Sequence, residues 1–396
     1  MENIARGIFS SCGFTELRTP LLEYTELFKR SIGEETDVVH KEMYTFTTEK
    51  GRSLSLRPEA TAGVMRAFIE NACYAQNQIS RFFTIGPMFR HERPQKGRLR
   101  QFHQINCECL GSDSAVCDAD MIAMLMRFLS SLGLTDLKFM INSLGCPTCR
   151  PKFKEALIAY LENLPQNALC EDCQRRMKVN PLRVLDCKEE GCIRARENAP
   201  RLQDFLCDEC KTHFTMVQNL LSVVDIPYVL NPWLVRGLDY YCRTTFEVVS
   251  GNIGSQSAVA GGGRYDGLVH LLGGPEIAGI GFACGMERLA LLLPKPEEEV
   301  LDFYVLLLDE KGVERAFTLV QKLRECGLRG EMNFQIGSFK SLFRQADKSN
   351  ARFALILGSD ELAKNMITLK NMGDGSQQTL DEDGAINILR GNKTNE

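Results

Sequence analysis

Residues 90–100 gather Arg90, His91, Glu92, Arg93, Lys96, Arg98 and Arg100, broken by Pro94 and Gly97. Like charges packed this densely repel unless an anion lies among them. Guanidinium groups grip a phosphate at two points, which an ammonium cannot do. The run falls between two half-apolar segments, so it sits at a strand–strand junction rather than along a helix face. The turn "RPQKG" folds Arg90 and Arg98 back over one another, with Glu92 among them as a hydrogen-bonding group. A solvated loop is the plainer alternative. A second arginine, Arg288, lies in "GIGFACGMERLALLL", where Gly279, Gly281 and Gly285 leave room for a ligand to approach the backbone. No short strand–turn–helix unit with a downstream acid surrounds these glycines, and no Walker A loop is present, so a Rossmann or P-loop reading fails. Phosphate binding then rests on arginines and antiparallel strands.

The cysteines suggest a different chemistry. Cys146/Cys149, Cys170/Cys173 and Cys207/Cys210 are Cys-x-x-Cys pairs, and Cys187 and Cys192 form a looser fourth. Two thiolates on one tight turn reach a single tetrahedral ion, and two such turns complete a four-sulfur site. Eight sulfurs suit two structural zincs, although which pairs combine is not legible. His213 could replace a sulfur. Iron–sulfur clusters fit less well, since no redox chemistry accompanies them. Free thiols left from an ancestral site, or a single occupied site, are the alternatives.

Composition bounds these readings. The chain has 396 residues, 44% apolar and 25% charged, with a formal net charge of −4 and 16 cysteines. That length serves two or three domains. The acidic balance excludes a wholly basic nucleic-acid binder but not a local basic patch. The start "MENIARGIFSSCGF" lacks the pattern of a signal peptide, and no apolar run approaches the ~20 residues of a membrane span. A soluble, cytoplasmic enzyme is expected, so disulfides are a poor use for the cysteines.

Several elements must position these groups. Residues 2–12 read as a helix and "FTELRTPLLEY" as a strand ending near Pro20. "RSLSLRPEATAGVMRAFIEN" reads as a strand and then a helix after Pro58, with Glu59 in its first turn. Residues 81–111 are two strands joined by the charged loop, and "SAVCDADMIAMLMRFLSSLG" is an amphipathic helix. Between 145 and 213 paired cysteines, Pro, Asn and charges mark an inserted subdomain. Strand patterns return in "YVLNPWLVRGLDYYCRTTFEVVS", "SAVAGGGRYDGLVHLLGG" and "AGIGFACGMERL". "PKPEEEV", 294–300, is a linker by composition. Beyond it strands and helices alternate, as in a separate α/β domain with a mostly parallel sheet. The tail "RGNKTNE" is expected to fray.

"FRHERPQKGRLRQFHQINCE" resembles motif 2 of the class II aminoacyl-tRNA synthetases, "GIGFACGMERL" resembles motif 3, and "FTELRTPLLE" resembles motif 1. Within the class, "LVRGLDYYCRTTFE" and "AGGGRYDGL" look like the two histidine-specific segments of the histidyl-tRNA synthetases. "LRPEATAG" matches their substrate loop, and "SFKSLFRQADKSNARFALILG" is similar to their anticodon-binding domain. The likeness covers nearly the whole chain outside the cysteine-rich part, where "NPLRVLDCK" still resembles the family's insertion domain.

The resemblance implies an α+β fold: a class II antiparallel sheet flanked by helices, with a Cys-rich insert and a C-terminal α/β anticodon-binding domain. The catalytic domain would span 1–144 and 214–293, the insertion 145–213, the linker 294–300 and the anticodon domain 301–396. It implies a ligase that activates L-histidine with ATP to histidyl-adenylate, then transfers the histidyl group to the 3′ end of tRNA(His). Arg90 and Arg236 would meet charge on the α-phosphate and Arg288 would hold the γ-phosphate, these three being catalytic. Glu92 and Arg98 would contact the adenine and phosphate end, and Mg²⁺ would bridge phosphate oxygens. Glu59, Thr61 and Gln104 would take the histidine ammonium, Glu108 and Tyr241 its imidazole, and Tyr265 would close the pocket. Alone, Glu108 reads as an exposed strand residue, Tyr241 and Tyr265 as core rings and Arg236 as a surface charge; motif context reverses that. His91 and His103 read as structural.

Lys340, Arg344 and Lys348 recur every fourth position, so a helix lines them up, with Arg352 following, to meet tRNA phosphates. A solvated face is the alternative. The family usually carries a further strand and Gly-rich loop ahead of motif 1, which bears on the homodimer expected through that motif. Two rivals remain. One is the histidine-sensing regulatory subunit of ATP phosphoribosyltransferase, which tends to lack these arginines and the anticodon domain. The other is a synthetase for proline or threonine, which needs a different pocket.

Overall fold

The computed structural model describes residues 1–33, 36–165, 167–253, 258–295 and 300–393. They fall into two compact units, Met1–Pro294 and Lys295–Glu396. Residues 145–213 belong to the first. Of the 294–300 linker, residues 296–299 lie outside the described residues, as do 394–396 of the tail.

The strands of the first unit are β1 Thr15–Glu16, β2 Leu22–Tyr24, β3 Thr45–Thr47, β4 Ser53–Leu56, β5 Ser80–Phe89, β6 Gln101–Leu110, β7 Lys138–Ser143, β8 Val229–Leu230, β9 Cys242–Val249, β10 Ala258–Arg264 and β11 Gly279–Gly285. Eight of them form one sheet in the order β1-β5-β6-β11-β10-β9-β7-β8, while β2-β4-β3 makes a small second sheet. The large sheet is antiparallel except where β1 joins β5 and β8 joins β7. Among the helices of this unit are α1 Glu2–Ser11, α2 Thr61–Glu70, α3 Ala115–Ser131, α4 Arg150–Glu162, α5 Glu171–Val179, α6 Asp208–Val223 and α7 Met286–Ala290.

β6 explains how the sheet separates core from site. Successive side chains of a strand point to opposite faces. Ile105, Cys107 and Cys109 enter the main core with Phe128 and Leu129 of α3. The alternate residues, Phe102, Gln104, Asn106 and Glu108, line a cavity on the other face. Behind the sheet, Phe9 of α1 is fully buried, its ring 5.5 Å from Phe83, 5.6 Å from Phe128 and 6.1 Å from Phe282. Truncating such a ring costs about 3–5 kcal/mol. α3 starts at Ser114, whose hydroxyl accepts from the Val116 amide at 3.2 Å, satisfying an orphan donor of the first turn.

Three expectations are corrected. "FTELRTPLLEY" is not one strand. β1 pairs with β5 and β2 with β4 on either side of Pro20, which has no N–H for a continuous ladder. Glu59 precedes α2 rather than lying in its first turn. In the second unit, β12 Leu301–Leu307 pairs parallel with β13 Gly330–Met332 and β14 Ala351–Leu357, but β14 pairs antiparallel with β15 Ile367–Asn371, and β15 with β16 Gln377–Leu380. The sheet is therefore mixed: β15 and β16 are joined by a short hairpin, and the β14–β15 connection, though it carries the short helix Ser359–Lys364, is shorter than a parallel crossover needs. α8 Val313–Glu325 and α9 Phe339–Lys348 supply the crossovers around β13, and α10 Glu382–Lys393 extends helix into the segment expected to fray.

Candidate functional site

A cavity of about 1030 Å³ opens on the polar face of β6, β11, β10 and β9. Its walls carry Glu59, Thr61, Arg90, Glu92, Arg98, Gln104, Glu108, Arg236, Tyr241, Tyr265 and Arg288, so every residue assigned to histidine or ATP lines one space.

The arginines are held before any ligand arrives. Arg90 Nε donates to the Pro58 carbonyl at 2.9 Å, and its guanidinium lies 5.4 Å from the centre of the Phe102 ring. Arg90 and Arg98 converge on Glu92, the first at 3.8 Å and the second in a close ion pair. The Gln95–Arg98 bridge closes the turn that brings them together. Arg288 Nε donates to Gly97 O at 3.0 Å and Nη1 to Ala258 O at 2.7 Å. Burial and then the charge of Arg98, with a further contribution from Arg90, push the Arg288 pKa down. The three cations thus share one field. Arg236 lies on the loop between β8 and β9, where Nη1 donates to Glu247 at 2.8 Å and the guanidinium approaches the Tyr241 ring. Gly261 makes room for it, since a Cβ there would overlap the guanidinium.

A second cluster surrounds Glu108. Thr61 Oγ1 donates to one carboxylate oxygen at 2.7 Å and the Tyr265 hydroxyl to the other. Burial raises the Glu108 pKa to about 8, against the opposing effect of those two bonds. Gly281, directly across the strand pair from Glu108, is glycine because a Cβ would strike this carboxylate. Gly281 and Gly285 line the cavity, as expected of motif 3 glycines, whereas the expectation is corrected at Gly279, which faces the Tyr265 ring instead. Tyr240 packs between Tyr241 and Tyr265, with ring centres 4.6 and 5.7 Å away. Glu59 accepts from the amides of Thr61 at 2.7 Å and Ala62 at 2.8 Å, so its carboxylate caps α2.

Two cavity-facing acceptors, Gln104 Oε1 and Asn106 Oδ1, are buried with no hydrogen-bond partner among the described residues. Buried polar atoms are normally paired, so both are open to a donor from a ligand in the cavity. The sequence reading missed Asn106, although its place between Gln104 and Glu108 on the same face of β6 was the available signal. It also missed Glu247, the partner of Arg236. His103 is structural as expected: its amide and ring bind Glu287, beside Arg288. His91 packs edge-on against Tyr44.

The eight cysteines resolve into Cys146, Cys149, Cys207 and Cys210, and Cys170, Cys173, Cys187 and Cys192; within each set the sulfurs lie within 4.8 Å of one another. Either set could hold a metal ion. His213 joins neither, but lies 3.6 Å from Asp118. In the second unit, α9 exposes Lys340, Arg344 and Lys348, and Arg352 follows in β14.

A family model described as Histidyl-tRNA synthetase matches residues 1–289, and one described as Anticodon binding domain matches 302–392. The histidine–tRNA ligase of Nitratidesulfovibrio vulgaris (strain DP4) is 58% identical over 383 residues, 97% of this chain and 92% of its own. That of Oleidesulfovibrio alaskensis is also 58% identical, over 97% of this chain and 93% of its own. The crystal structure of apo S. aureus histidyl-tRNA synthetase superimposes with a TM-score of 0.81 at 35% identity, covering 98% of this chain and 94% of that one. An ATP phosphoribosyltransferase regulatory subunit/histidyl-tRNA synthetase from Bacillus halodurans C gives a TM-score of 0.64 at 19% identity over 89% of this chain and 92% of that one, a likeness of fold alone.

Proposed function

The chain belongs to the histidyl-tRNA synthetase family, and we propose how its cavity divides that family's reaction among named side chains. The protein is a histidine–tRNA ligase, with histidine, ATP and tRNA as its partners. The sensor reading is less supported, since it rests on fold likeness at 19% identity.

The observation that carries the division is the pairing, in one cavity, of held arginines with two unpartnered acceptors. The α-ammonium of histidine donates to Gln104 Oε1, aided by Thr61 and by the field of Glu59. The imidazole lies against Glu108 and Tyr241. An N–H from the ring stabilises the ionised form of a carboxyl that burial otherwise keeps protonated. Tyr265 holds Glu108 and closes the pocket. The histidine carboxylate oxygen attacks the α-phosphorus, and the bond to the bridging oxygen of pyrophosphate breaks. Negative charge grows on the α-phosphate oxygens and leaving group, where Arg90 and Arg236 meet it without reorganising. Arg288 takes the γ-phosphate, while Glu92 and Arg98 contact the adenine and phosphate end, Glu92 also orienting Arg90 toward the α-phosphate. Mg²⁺ takes oxygen ligands, mostly phosphate and water plus one or two carboxylates. Glu247 fits that role beside Arg236, and the ion when bound neutralises phosphate charge.

The eight cysteines are structural zinc ligands in this reading. In the second unit, Lys340, Arg344, Lys348 and Arg352 meet tRNA phosphates. Phe334, 93% exposed, and the half-exposed Phe339 offer faces on which unpaired bases stack. A homodimer through the motif 1 region is supported by the exposed Leu21, Leu22, Tyr24 and Phe46 at the small sheet, and the location is cytoplasmic. The assignment is tested by amino-acid-dependent exchange of pyrophosphate into ATP. Histidine alone should support it; exchange with proline or threonine instead, or with none, sinks the pocket assignment.

A further inference from the structure

The two cysteine sets differ in what they close. Cys146 and Cys149 follow β7, and Cys207 and Cys210 sit at the start of α6, so the first set gathers the neck where the insert leaves and rejoins the sheet. Cys170, Cys173, Cys187 and Cys192 lie within the insert, and Cys170 and Cys187 face the substrate cavity.

The sulfur spacing matches one ion per set. A zinc–sulfur bond of about 2.3 Å gives a tetrahedron with edges of about 3.8 Å. The Cys146–Cys149, Cys146–Cys207 and Cys170–Cys187 sulfurs stand 3.6, 3.9 and 3.8 Å apart. Backbone amides already solvate the acceptors: Cys207 N donates to Cys149 Sγ at 3.1 Å and Cys170 N to Cys192 Sγ at 3.2 Å. A cluster of several iron atoms would hold its thiolates further apart than this.

Between Cys170 and Cys187 the chain makes α5 and a tight turn, and two side chains from that stretch grip the segment that carries Arg236. Arg183 Nη1 donates to the Arg236 carbonyl at 3.0 Å, and Asn180 Nδ2 to Asp239 Oδ1 at 2.9 Å. The Arg196 guanidinium ties down the carbonyls of Leu185 and Cys187 from behind. Arg236 is therefore held at its guanidinium by Glu247 and at its backbone by a loop whose two ends meet at the sulfurs. A metal there closes the loop and removes the conformational freedom that would let Arg183 and Asn180 drift.

We propose that Cys170, Cys173, Cys187 and Cys192 bind one zinc ion that acts as a clasp, positioning Arg236 over the reacting phosphate. The proposal rests on the zinc reading above. Arg183 and Asn180 are positioning residues; neither need touch substrate.

The test measures zinc per chain and histidine-dependent pyrophosphate exchange on the full-length protein. Wild type should carry two zincs. Cys187→Ser should carry one, with kcat for exchange down at least tenfold. Its KM for histidine should change less, because Glu59, Thr61, Gln104 and Glu108 lie on other elements and only Tyr241 follows the gripped segment. Cys187→His, which restores a ligand, should recover the second zinc and most of the kcat. Arg183→Ala tests the linkage with both metals in place: two zincs, kcat down about five- to tenfold, KM for histidine nearly unchanged. Cys187→Ser losing one zinc but turning over at the wild-type kcat overturns the clasp and leaves the metal reading standing, as does Arg183→Ala at the wild-type kcat. Wild type with no bound metal overturns both.

Discussion

The arginines of the cavity and the cations of α9 carry the same charge and are held quite differently. Arg90, Arg236 and Arg288 each donate to a carbonyl or carboxylate of the protein, and their neighbours are buried rings and strands. Lys340, Arg344 and Lys348 project from an exposed helix face into water. The first set is organised before substrate arrives, in surroundings that screen charge poorly. It can therefore stabilise charge that exists only in the transition state. The second can offer only a diffuse, salt-screened attraction, which would recognise phosphate without orienting it. Substitution should separate the two kinds of site.

The largest effect is expected at Arg236. Arg236→Ala should lower kcat for pyrophosphate exchange on the order of 10²–10³-fold, as loss of a fixed oxyanion donor does, with little change in KM for histidine. Arg236→Lys should recover only part, because an ammonium cannot bridge Glu247 and a phosphate in the fork geometry. Steady-state exchange kinetics check both. If Arg236→Ala raised KM alone, the residue would be binding the ground state and the contrast with α9 would collapse.

A smaller effect belongs to Glu108, where the comparison is between a buried and an exposed charge. Glu108→Gln should lower kcat/KM for histidine about 10- to 100-fold, the worth of a hydrogen bond to a charged group. The substitution also reports on pH. A carboxyl whose pKa rises from 4.5 in the unfolded chain to about 8 in the fold binds an extra proton when folded. Its stabilising contribution is complete below pH 4.5, declines from there to pH 8 and is gone above it. The ligand-free wild type should therefore lose stability relative to Glu108→Gln across that window. Thermal unfolding of both proteins from pH 5 to pH 9 checks the sign; parallel curves would show that Glu108 is already ionised in the empty site.

Much of this was legible in sequence for a simple reason. Strand alternation puts Gln104 and Glu108 on one face of β6, and a Pro–Gly turn returns Arg98 to Arg90, so local rules carry most of the cavity. Where the reading fell short, the answer depended on contacts distant in sequence. That Gly281 also makes room for Glu108 was hidden, because this cross-strand neighbour is 173 positions away. Glu59 was assigned to substrate, yet its two oxygens also cap α2, a role that appears once the helix boundary is known. Asn106 was passed over because no motif singled it out; only its burial without a partner reveals it. The cysteine pairs were visible, but their combination depends on how the insert returns to its own neck. The C-terminal sheet looked parallel because helices alternate with strands as far as Ser359–Lys364, and nothing local shows that the connection through that helix is too short for a parallel crossover.

The smallest effects should come from α9, and their form matters more than their size. Lys340→Ala, Arg344→Ala and Lys348→Ala each remove at most one phosphate contact. Such a contact releases a counterion, so its loss lowers the slope of log affinity for tRNA against log salt by roughly 0.7–0.9 and weakens binding only modestly. The deficit should shrink as salt rises, because the attraction removed is the part that salt already screens. The triple variant should show the sum, since exposed charges one turn apart on a solvated face couple weakly. Affinity measured by filter binding between 50 and 200 mM salt gives both slope and intercept. Exchange on the same preparations, which involves no tRNA, gives the internal reference. An unchanged slope in the triple variant would identify the face as solvated and leave recognition to Phe334 and Phe339. A large deficit that salt did not relieve would mean that these side chains are held on binding as firmly as the arginines of the cavity, and the distinction between the two sets would be one of timing rather than of kind.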